Sequence, residues 1–257
     1  MPKAAFVAAL VAFAPLARAA ENLPPCPASP SPGRIPAGET LEFAMDVMGA
    51  QIGTLTLATL RSQGDGGSIV RAHMQTGAFA ANFRTVDDHV EAKFDAGLRA
   101  VAYHELNEED GVRRTIDFTY PKDGPLEARA TKDGNPASFD LKGPPTARDY
   151  VSALYALRGR ELALGGDVCL DVYGAWRTWR VTGKVAAREK VRSPAGDWDA
   201  LRIDGSAVRF DDPASKTEVH LWITDDLRRL PVAAFGTARG KPVRVLLTKL
   251  TEPARRR

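Results

Sequence analysis

The segment Asp87-Asp88-His89-Val90-Glu91 holds the residues whose types and spacing best suit metal chemistry. Side chains at alternate positions of a β-strand share one face, so Asp87, His89 and Glu91 would point the same way. One imidazole and two carboxylates could hold a divalent cation. The alternative is a solvated strand face whose charges pair with Arg or Lys on neighbouring strands, which needs no metal at all. We favour this alternative, and the sequence therefore predicts neither a metal site nor a cofactor.

Motifs of the common catalytic classes are absent from the sequence. The chain contains no Gly-x-Ser-x-Gly, no Gly-x-Gly-x-x-Gly, no Walker loop and no Cys-x-x-Cys. His104-Glu105 lacks the second histidine that would complete a zinc-protease helix. We predict no catalytic residues and a non-enzymatic protein, with a hydrolase that uses carboxylates outside any known motif as a third alternative.

Aromatic and aliphatic side chains give the positive indication of function. Tyr150, Leu154 and Leu157 follow one another at helical spacing, and Trp222 lies on a candidate strand. Aromatic walls with few polar anchors suit lipids and other apolar ligands. We predict that these four residues line a groove for a lipid or acyl chain between a helix and a concave sheet, with the other tryptophans as further wall candidates, namely Trp176, Trp179 and Trp198.

The alternative for any one of these side chains is ordinary core packing. A sheet whose interior is filled with Leu, Val and Phe would leave no cavity for a ligand. The protein would then be an envelope scaffold or a protein-interaction domain. The predicted partner is therefore a lipid or other apolar ligand, or else another envelope protein.

Alternation of apolar and polar residues dominates the chain from Gly38 onward. Leu41, Phe43 and Met45 alternate with polar or small residues, which is typical of a strand with one buried face. Asp-Gly pairs recur between such runs and tolerate the positive φ values of tight hairpin turns. The predicted strands cover about 39–48, 52–62, 67–76, 83–94, 99–108, 112–120, 126–132, 161–172, 176–192, 197–209, 217–224, 229–238 and 242–251.

One segment departs from this alternation. Thr146-Ala147-Arg148-Asp149 resembles a capping box, and the apolar residues after it recur at helical spacing until Gly159. With many strands and one clear helix, the chain has no crossover helices for a parallel sheet. The sequence predicts an all-β fold, a large curved antiparallel sheet in a barrel or half-barrel, with one short helix packed on it.

The N-terminal residues are typical of a secretory signal peptide. Lys3 precedes an apolar run that is too short to span a bilayer comfortably, and Ala17-Arg18-Ala19 is a small-x-small cleavage motif. We predict a signal peptide over 1–19, with cleavage after Ala19 or alternatively Ala20, and a periplasmic or otherwise exported protein with no transmembrane segment in the mature chain. The remaining divisions are a Pro-rich lead-in over 20–37, one β-rich domain over 38–252 and a basic tail over 253–257.

Cys26 and Cys169 are the only two cysteines of the chain. Two cysteines are often paired in an oxidising compartment, and a bridge closing so long a loop would stabilise the fold by roughly 4 kcal/mol on the chain-entropy model. The alternative is one buried thiol and one exposed thiol. Spacing alone does not decide between them.

Composition and charge narrow the class of protein further. The chain of 257 residues is 44% hydrophobic and 26% charged, which is ordinary for a soluble globular domain. Removing the predicted leader takes away Lys3 and Arg18 and leaves 33 basic and 32 acidic residues. So nearly balanced a charge indicates no nucleic-acid partner.

Five segments of the chain carry a family pattern, namely 38–43, 49–57, 149–158, 190–200 and 222–232. Together they resemble the bacterial domain-of-unknown-function family numbered 3108. They appear in order across nearly the whole predicted mature chain, with a mild departure from the family pattern at Gly49-Ala50-Gln51. The resemblance implies an exported envelope protein with a curved antiparallel sheet, loosely like lipoprotein-carrier and lipocalin half-barrels. It implies no activity.

Overall fold

The computed structural model of the chain describes residues 26–27, 35–64, 66–123, 126–138, 143–144, 146–174, 176–238 and 240–253. The predicted signal peptide at 1–19 lies outside these ranges. So do most of the Pro-rich lead-in and residues 254–257 of the predicted basic tail.

Strands make up most of the described structure, and two helices interrupt their order. The first helix, α1, covers Ala78–Ala81, and the second, α2, covers Tyr150–Arg158. Neither described helix has the length and apolar character needed to cross a bilayer. The strands are β1 (Thr40–Val47), β2 (Ala50–Arg61), β3 (Ser68–Thr76), β4 (Val86–Phe94), β5 (Ala100–Glu109), β6 (Val112–Thr119), β7 (Glu127–Lys132), β8 (Asn135–Pro136), β9 (Arg148–Asp149), β10 (Asp167–Gly174), β11 (Arg177–Ser193), β12 (Gly196–Arg209), β13 (Lys216–Thr224), β14 (Pro231–Ala238) and β15 (Lys241–Thr251).

All described strands belong to one sheet, in the order β8-β7-β6-β5-β4-β3-β2-β1-β15-β14-β13-β12-β11-β10-β9. Neighbouring strands run antiparallel except β9 and β10, which are parallel. The order begins at β8 and ends at β9, so the described sheet stays open. This arrangement confirms the predicted all-β class and the large antiparallel sheet.

The sheet curls around its own interior. The main hydrophobic cluster draws buried residues from strands near both ends of the sheet order and from α2. Phe118 of β6 and Tyr173 of β10 lie near opposite edges of the sheet, yet their ring centroids are 4.6 Å apart. A smaller cluster joins Leu157 of α2 to side chains of β10, β11, β12 and β13. The helix therefore packs inside the curl, with a cluster on each side of it.

Close strand contact at paired glycines accompanies the curvature. Gly183 of β11 lies opposite Gly205 of β12. A Cβ atom at Gly183 would stand only 2.6 Å from the carbonyl oxygen of Asp204, so no other residue fits there without movement. Glycines at such positions commonly mark bends in curved sheets.

Helix α2 covers the predicted residues and ends at the predicted Gly159, but its N-cap is Asp149, whereas a capping box over 146–149 would place Thr146 at that position. The Asp149 carboxylate accepts a hydrogen bond from the Ser152 amide at 2.7 Å and so caps the first turn. Gly159 is the C-cap residue. The side chains between them give the helix its buried faces, with Val151 and Tyr155 in the main cluster and Leu157 in the smaller one.

Other predicted boundaries were wrong. The strand predicted over 161–172 begins at Asp167, because Gly165 adopts φ +79° in a turn and Leu162 packs from a loop. The strand predicted over 83–94 begins at Val86, after the short helix α1. Elements as short as α1, β8 and β9 were not predicted, since two to four residues show no periodicity.

Cys26 and Cys169 are joined in the structure, with their sulfur atoms 1.98 Å apart. Cys26 is buried although it belongs to the Pro-rich lead-in. The bridge spans 143 positions of sequence and ties the lead-in to β10. Whether purified protein carries this bond is testable by mass analysis under non-reducing conditions, where two alkylatable thiols would contradict it.

Candidate functional site

A pocket of about 680 Å³ opens at the C-terminal end of α2. Four separate chain segments form it: the residues before β1, the end of the helix, the β13–β14 loop and the residues after β15. Its walls combine apolar, basic and acidic side chains. The lining residues are Pro36, Glu39, Arg158, Gly159, Arg160, Glu161, Leu227, Arg228, Arg229, Glu252 and Pro253.

A buried ion pair forms one side of this pocket. The Arg158 guanidinium donates to both carboxylate oxygens of Glu39, at 2.7 and 3.0 Å, and the two side chains are only 3% and 5% exposed. Arg158 also donates to the Arg228 carbonyl at 3.2 Å and lies over the Tyr155 ring. A bidentate pair so fully hydrogen-bonded fixes the end of the helix to β1 and to the β13–β14 loop.

The other basic side chains of the pocket differ in their pairing. Arg228 binds Glu252 at 2.7 Å, and Arg229 binds Asp225 at 3.3 Å. Arg160 is half-buried, and its guanidinium makes no ion pair or hydrogen bond with any residue that the structure describes. Burial lowers the pKa of Arg160 from its ordinary value, because leaving water disfavours the charged form.

Apolar surface lies beside these charges. Leu227 is completely exposed at the tip of the β13–β14 loop. Pro36, before β1, and Pro253, after β15, add apolar wall to the pocket. Glu161 also lines the pocket, and its carboxylate is exposed to solvent. The pocket thus combines an apolar wall with a cation, that of Arg160, for which the described part of the chain supplies no partner.

The opposite end of α2 is closed by aromatic rings. All five tyrosines of the chain lie in the main cluster or against it. The ring centroid of Tyr103 is 6.4 Å from that of Tyr150 and 6.3 Å from that of Tyr173. Tyr103 and Tyr173 are almost fully buried, so these described rings pack closely beside the N-terminal end of the helix.

Three buried carboxyl groups lie among these rings. Tyr103 donates a hydrogen bond to Glu105, and Tyr120 donates one to Asp149 at 2.9 Å. Burial raises the pKa of Glu105 and of Asp149. Burial and the nearby charges of Glu105 and Asp87 raise the pKa of Asp88 to about 7. Raised pKa values are typical of catalytic acids, but a general acid must reach its substrate, and these groups are enclosed by tyrosines.

Of the four residues predicted to line a ligand groove, three lie against the main cluster and one lies in the smaller cluster. Tyr150, Leu154 and Trp222 are partly buried against the main cluster, whereas Leu157 is buried in the smaller one. Trp222 also donates a hydrogen bond to Glu189. None of the four belongs to the pocket at the C-terminal end of α2.

The acidic strand segment around His89 is divided in the structure. Glu91 pairs with Arg71 at 2.9 Å and with Lys93 at 3.3 Å, as expected for a solvated strand face. Asp87 instead meets two imidazoles, those of His89 and of His73 on the neighbouring strand. The sequence missed His73 because only the strand register places it opposite His89.

Comparison with known proteins identifies the family but not an activity. A β-barrel-like protein of domain of unknown function 1849 from Brucella abortus shares the fold, with a TM-score of 0.57 at 13% identity over 85% of this chain and 98% of that one. A candidate exported protein with a YmcC-like fold from Bacteroides fragilis gives 0.39 at 10% identity, over 84% and 96% of the two chains. A candidate lipoprotein from Parabacteroides distasonis gives 0.37 at 10% identity, over 86% and 97%.

The family match agrees with the resemblance in the sequence. No curated protein matches the chain. The family model for "Protein of unknown function (DUF3108)" matches residues 42–237, from β1 to β14. Since this range covers most of the sequence, the chain belongs to the DUF3108 family.

Proposed function

We propose that this protein is a non-enzymatic module of the cell envelope that binds an anionic amphiphile, such as a fatty acid, in the pocket at the C-terminal end of α2. The observation that carries the proposal is the half-buried guanidinium of Arg160, which pairs with none of the residues that the structure describes and lines the same pocket as the exposed apolar side chain of Leu227.

The charge of Arg160 supports an anionic ligand. A cation withdrawn from water loses hydration, and it recovers that free energy only by pairing with an anion or with hydrogen-bond acceptors. Arg228 and Arg229 already have carboxylate partners, whereas none of the described residues pairs with Arg160, which can therefore take a ligand. A planar guanidinium suits bidentate recognition of a carboxylate or phosphate.

The apolar wall supports a ligand with a hydrocarbon part. Leu227 is fully exposed, and Pro36 and Pro253 present further apolar surface in the same opening. Pockets of several hundred cubic ångströms with apolar walls and a few polar groups are typical small-molecule sites. An amphiphile would cover Leu227 while its head group pairs with Arg160.

The envelope location rests on two features of the chain. The N-terminal residues are typical of a secretory signal peptide. The paired Cys26 and Cys169 suit an oxidising compartment such as the periplasm.

A fluorescent fatty acid tests the proposal. We expect micromolar-class binding, on the order of −8 kcal/mol, and at least tenfold weaker binding by Arg160→Gln. Arg192→Gln is the matched control, because Arg192 is 88% exposed on β11 and does not line the pocket. Trp198 gives a second readout, since the Arg228 guanidinium lies 6.0 Å from its ring centroid. Absence of binding, or equal binding of an uncharged fatty alcohol, would contradict the proposal.

A second candidate function is an envelope interaction domain. It is favoured by exposed apolar side chains at the other end of the sheet, where Met48 lies in the β1–β2 turn and Phe79 and Phe83 lie in the β3–β4 connection. Replacing both phenylalanines by serine would abolish partner cross-linking in the native envelope under this function. The same double variant would leave fatty-acid binding unchanged under the first.

A further inference from the structure

His73, Asp87 and His89 form a compact group on the outer face of β3 and β4. His73 lies directly opposite His89 in the antiparallel pairing of the two strands. Asp87 precedes His89 by two positions and therefore shares its face. The neighbouring residues Ala72 and Val90 are buried in the main cluster, which places the three polar side chains on the outside of the curl.

The three side chains lie close enough together for one ion to reach all of them. The Nε2 atoms of His73 and His89 lie 2.7 and 3.2 Å from the same oxygen of Asp87, Oδ1. The two imidazole rings are stacked, with centroids 4.1 Å apart and planes 10° from parallel. One donor atom from each residue lies within 4.8 Å of the other two. The side chains are 36%, 52% and 54% exposed, so an ion could reach them from solvent.

The other two histidines of the chain show what an ordinary pair looks like. His104 binds Asp117 at 2.7 Å, and His220 binds Asp204 at 2.7 Å. Each is a single imidazole beside carboxylates, which exposed strands commonly show. Only His73 and His89, among the four, are stacked on each other around a shared carboxylate oxygen.

We infer that His73, Asp87 and His89 bind a divalent transition-metal ion, with zinc as the first candidate. Imidazole nitrogen suits Zn²⁺, Cu²⁺ and Ni²⁺, and a carboxylate completes a set of three protein ligands. Ligand atoms about 2.0–2.2 Å from a zinc ion stand roughly 3–3.5 Å apart, which the present separations reach by small side-chain rotations. Water would fill the remaining coordination positions.

The surrounding charges limit how tightly the ion is held. Glu91, on the same face, is occupied by Arg71 and Lys93 and does not become a fourth ligand. The two cations also lie beside the site and oppose a divalent charge. We therefore expect one exchangeable ion rather than a closed structural centre.

Calorimetric titration of zinc chloride into the tag-free mature protein, after chelator treatment and dialysis, tests the site. Wild-type protein should bind one zinc ion. His73→Gln and His89→Gln should each weaken binding at least tenfold, and Asp87→Asn should weaken it less, because a neutral amide is a poorer ligand but keeps the shape. His104→Gln is the matched control. It removes a β5 histidine that is paired with an aspartate, and it should leave zinc binding unchanged.

Histidine NMR separates metal binding from a loss of folding. Zinc should shift the imidazole signals of His73 and His89 and leave those of His104 and His220 in place. Failure of wild-type protein to take up zinc would overturn the inference. Equal weakening of zinc binding by His104→Gln and His73→Gln would also overturn the inference. The stacked pair would then matter no more to zinc binding than His104 does.

Discussion

The N-terminal end of α2 lies among tyrosines in edge-to-face contact and buried carboxyl groups, whereas its C-terminal end opens on an arginine-lined pocket. Both ends hold charge-bearing groups that have left water. At the closed end, burial raises the pKa of Glu105 and Asp149 and so favours their neutral forms. At the open end, the Arg158 guanidinium pairs with Glu39, whereas Arg160 lines the pocket and burial lowers its pKa.

This difference separates structural polar groups from candidate functional ones. A buried group that is satisfied by its neighbours contributes to the fold and offers nothing to a ligand. A group that is partly withdrawn from water and has no partner is held ready for one. Burial alone therefore does not mark the site. A group that is buried without a partner and lies next to open space does mark the site.

The largest expected effect tests the ion pair at the open end. Arg158→Met leaves the buried carboxylate of Glu39 without its partner and should lower the free energy of unfolding by about 3–5 kcal/mol. Urea denaturation measures the loss. Arg192→Met is the control, because an exposed pair such as Arg192 with Asp197 contributes little, about 0–1 kcal/mol. A loss below about 1 kcal/mol for Arg158→Met would mean that solvent already reaches the pair.

The next effect tests whether the middle of α2 is packed as firmly as its ends. Leu154 is partly buried against the main cluster, so Leu154→Ala should cost about 2–3 kcal/mol in urea denaturation. Leu227→Ala is the matched control and should change stability by less than about 0.5 kcal/mol, because that side chain is wholly exposed. Equal small effects from both leucines would show that the helix is not docked in the curl.

The sequence predicted local elements better than the sites. Alternation located the long strands, and apolar residues at helical spacing before Gly159 located α2, because these signals lie within a few consecutive residues. The pocket joins residues near positions 36, 160, 227 and 253, and the metal group needs His73 opposite His89. Such groupings depend on strand order and register, which no single segment carries. A local signal did exist for the pocket, since arginines cluster at 158–160 and 228–229, but nothing in the sequence brings the two clusters together.

The smallest expected effect is a pH-dependent change in stability that arises at the closed, N-terminal end of α2. Burial raises the pKa of Glu105 above its ordinary value, so the folded protein keeps this proton after the unfolded chain has lost it. At pH well below the ordinary value the group is protonated in both states and has no effect. As pH rises through that value, wild-type stability should fall, and Glu105→Gln should escape this fall because glutamine stays neutral and its carbonyl can still accept from Tyr103. We expect Glu105→Gln to raise the free energy of unfolding by less than Leu154→Ala lowers it. The folded wild-type protein avoids much of the cost of a buried charge by holding its proton.

Urea denaturation of wild type and Glu105→Gln at pH 4, 6 and 8 measures that difference. Their free energies of unfolding should be close at pH 4, and the variant should become the more stable protein by pH 8. Glu127→Gln, at an exposed position of β7, is the control and should follow wild type throughout. Parallel curves for wild type and Glu105→Gln would mean that Glu105 is charged in the fold. The closed end would then resemble the open one, because it would hold a buried charge that needs a cationic partner. The two ends of α2 would no longer differ in the protonation of their buried groups.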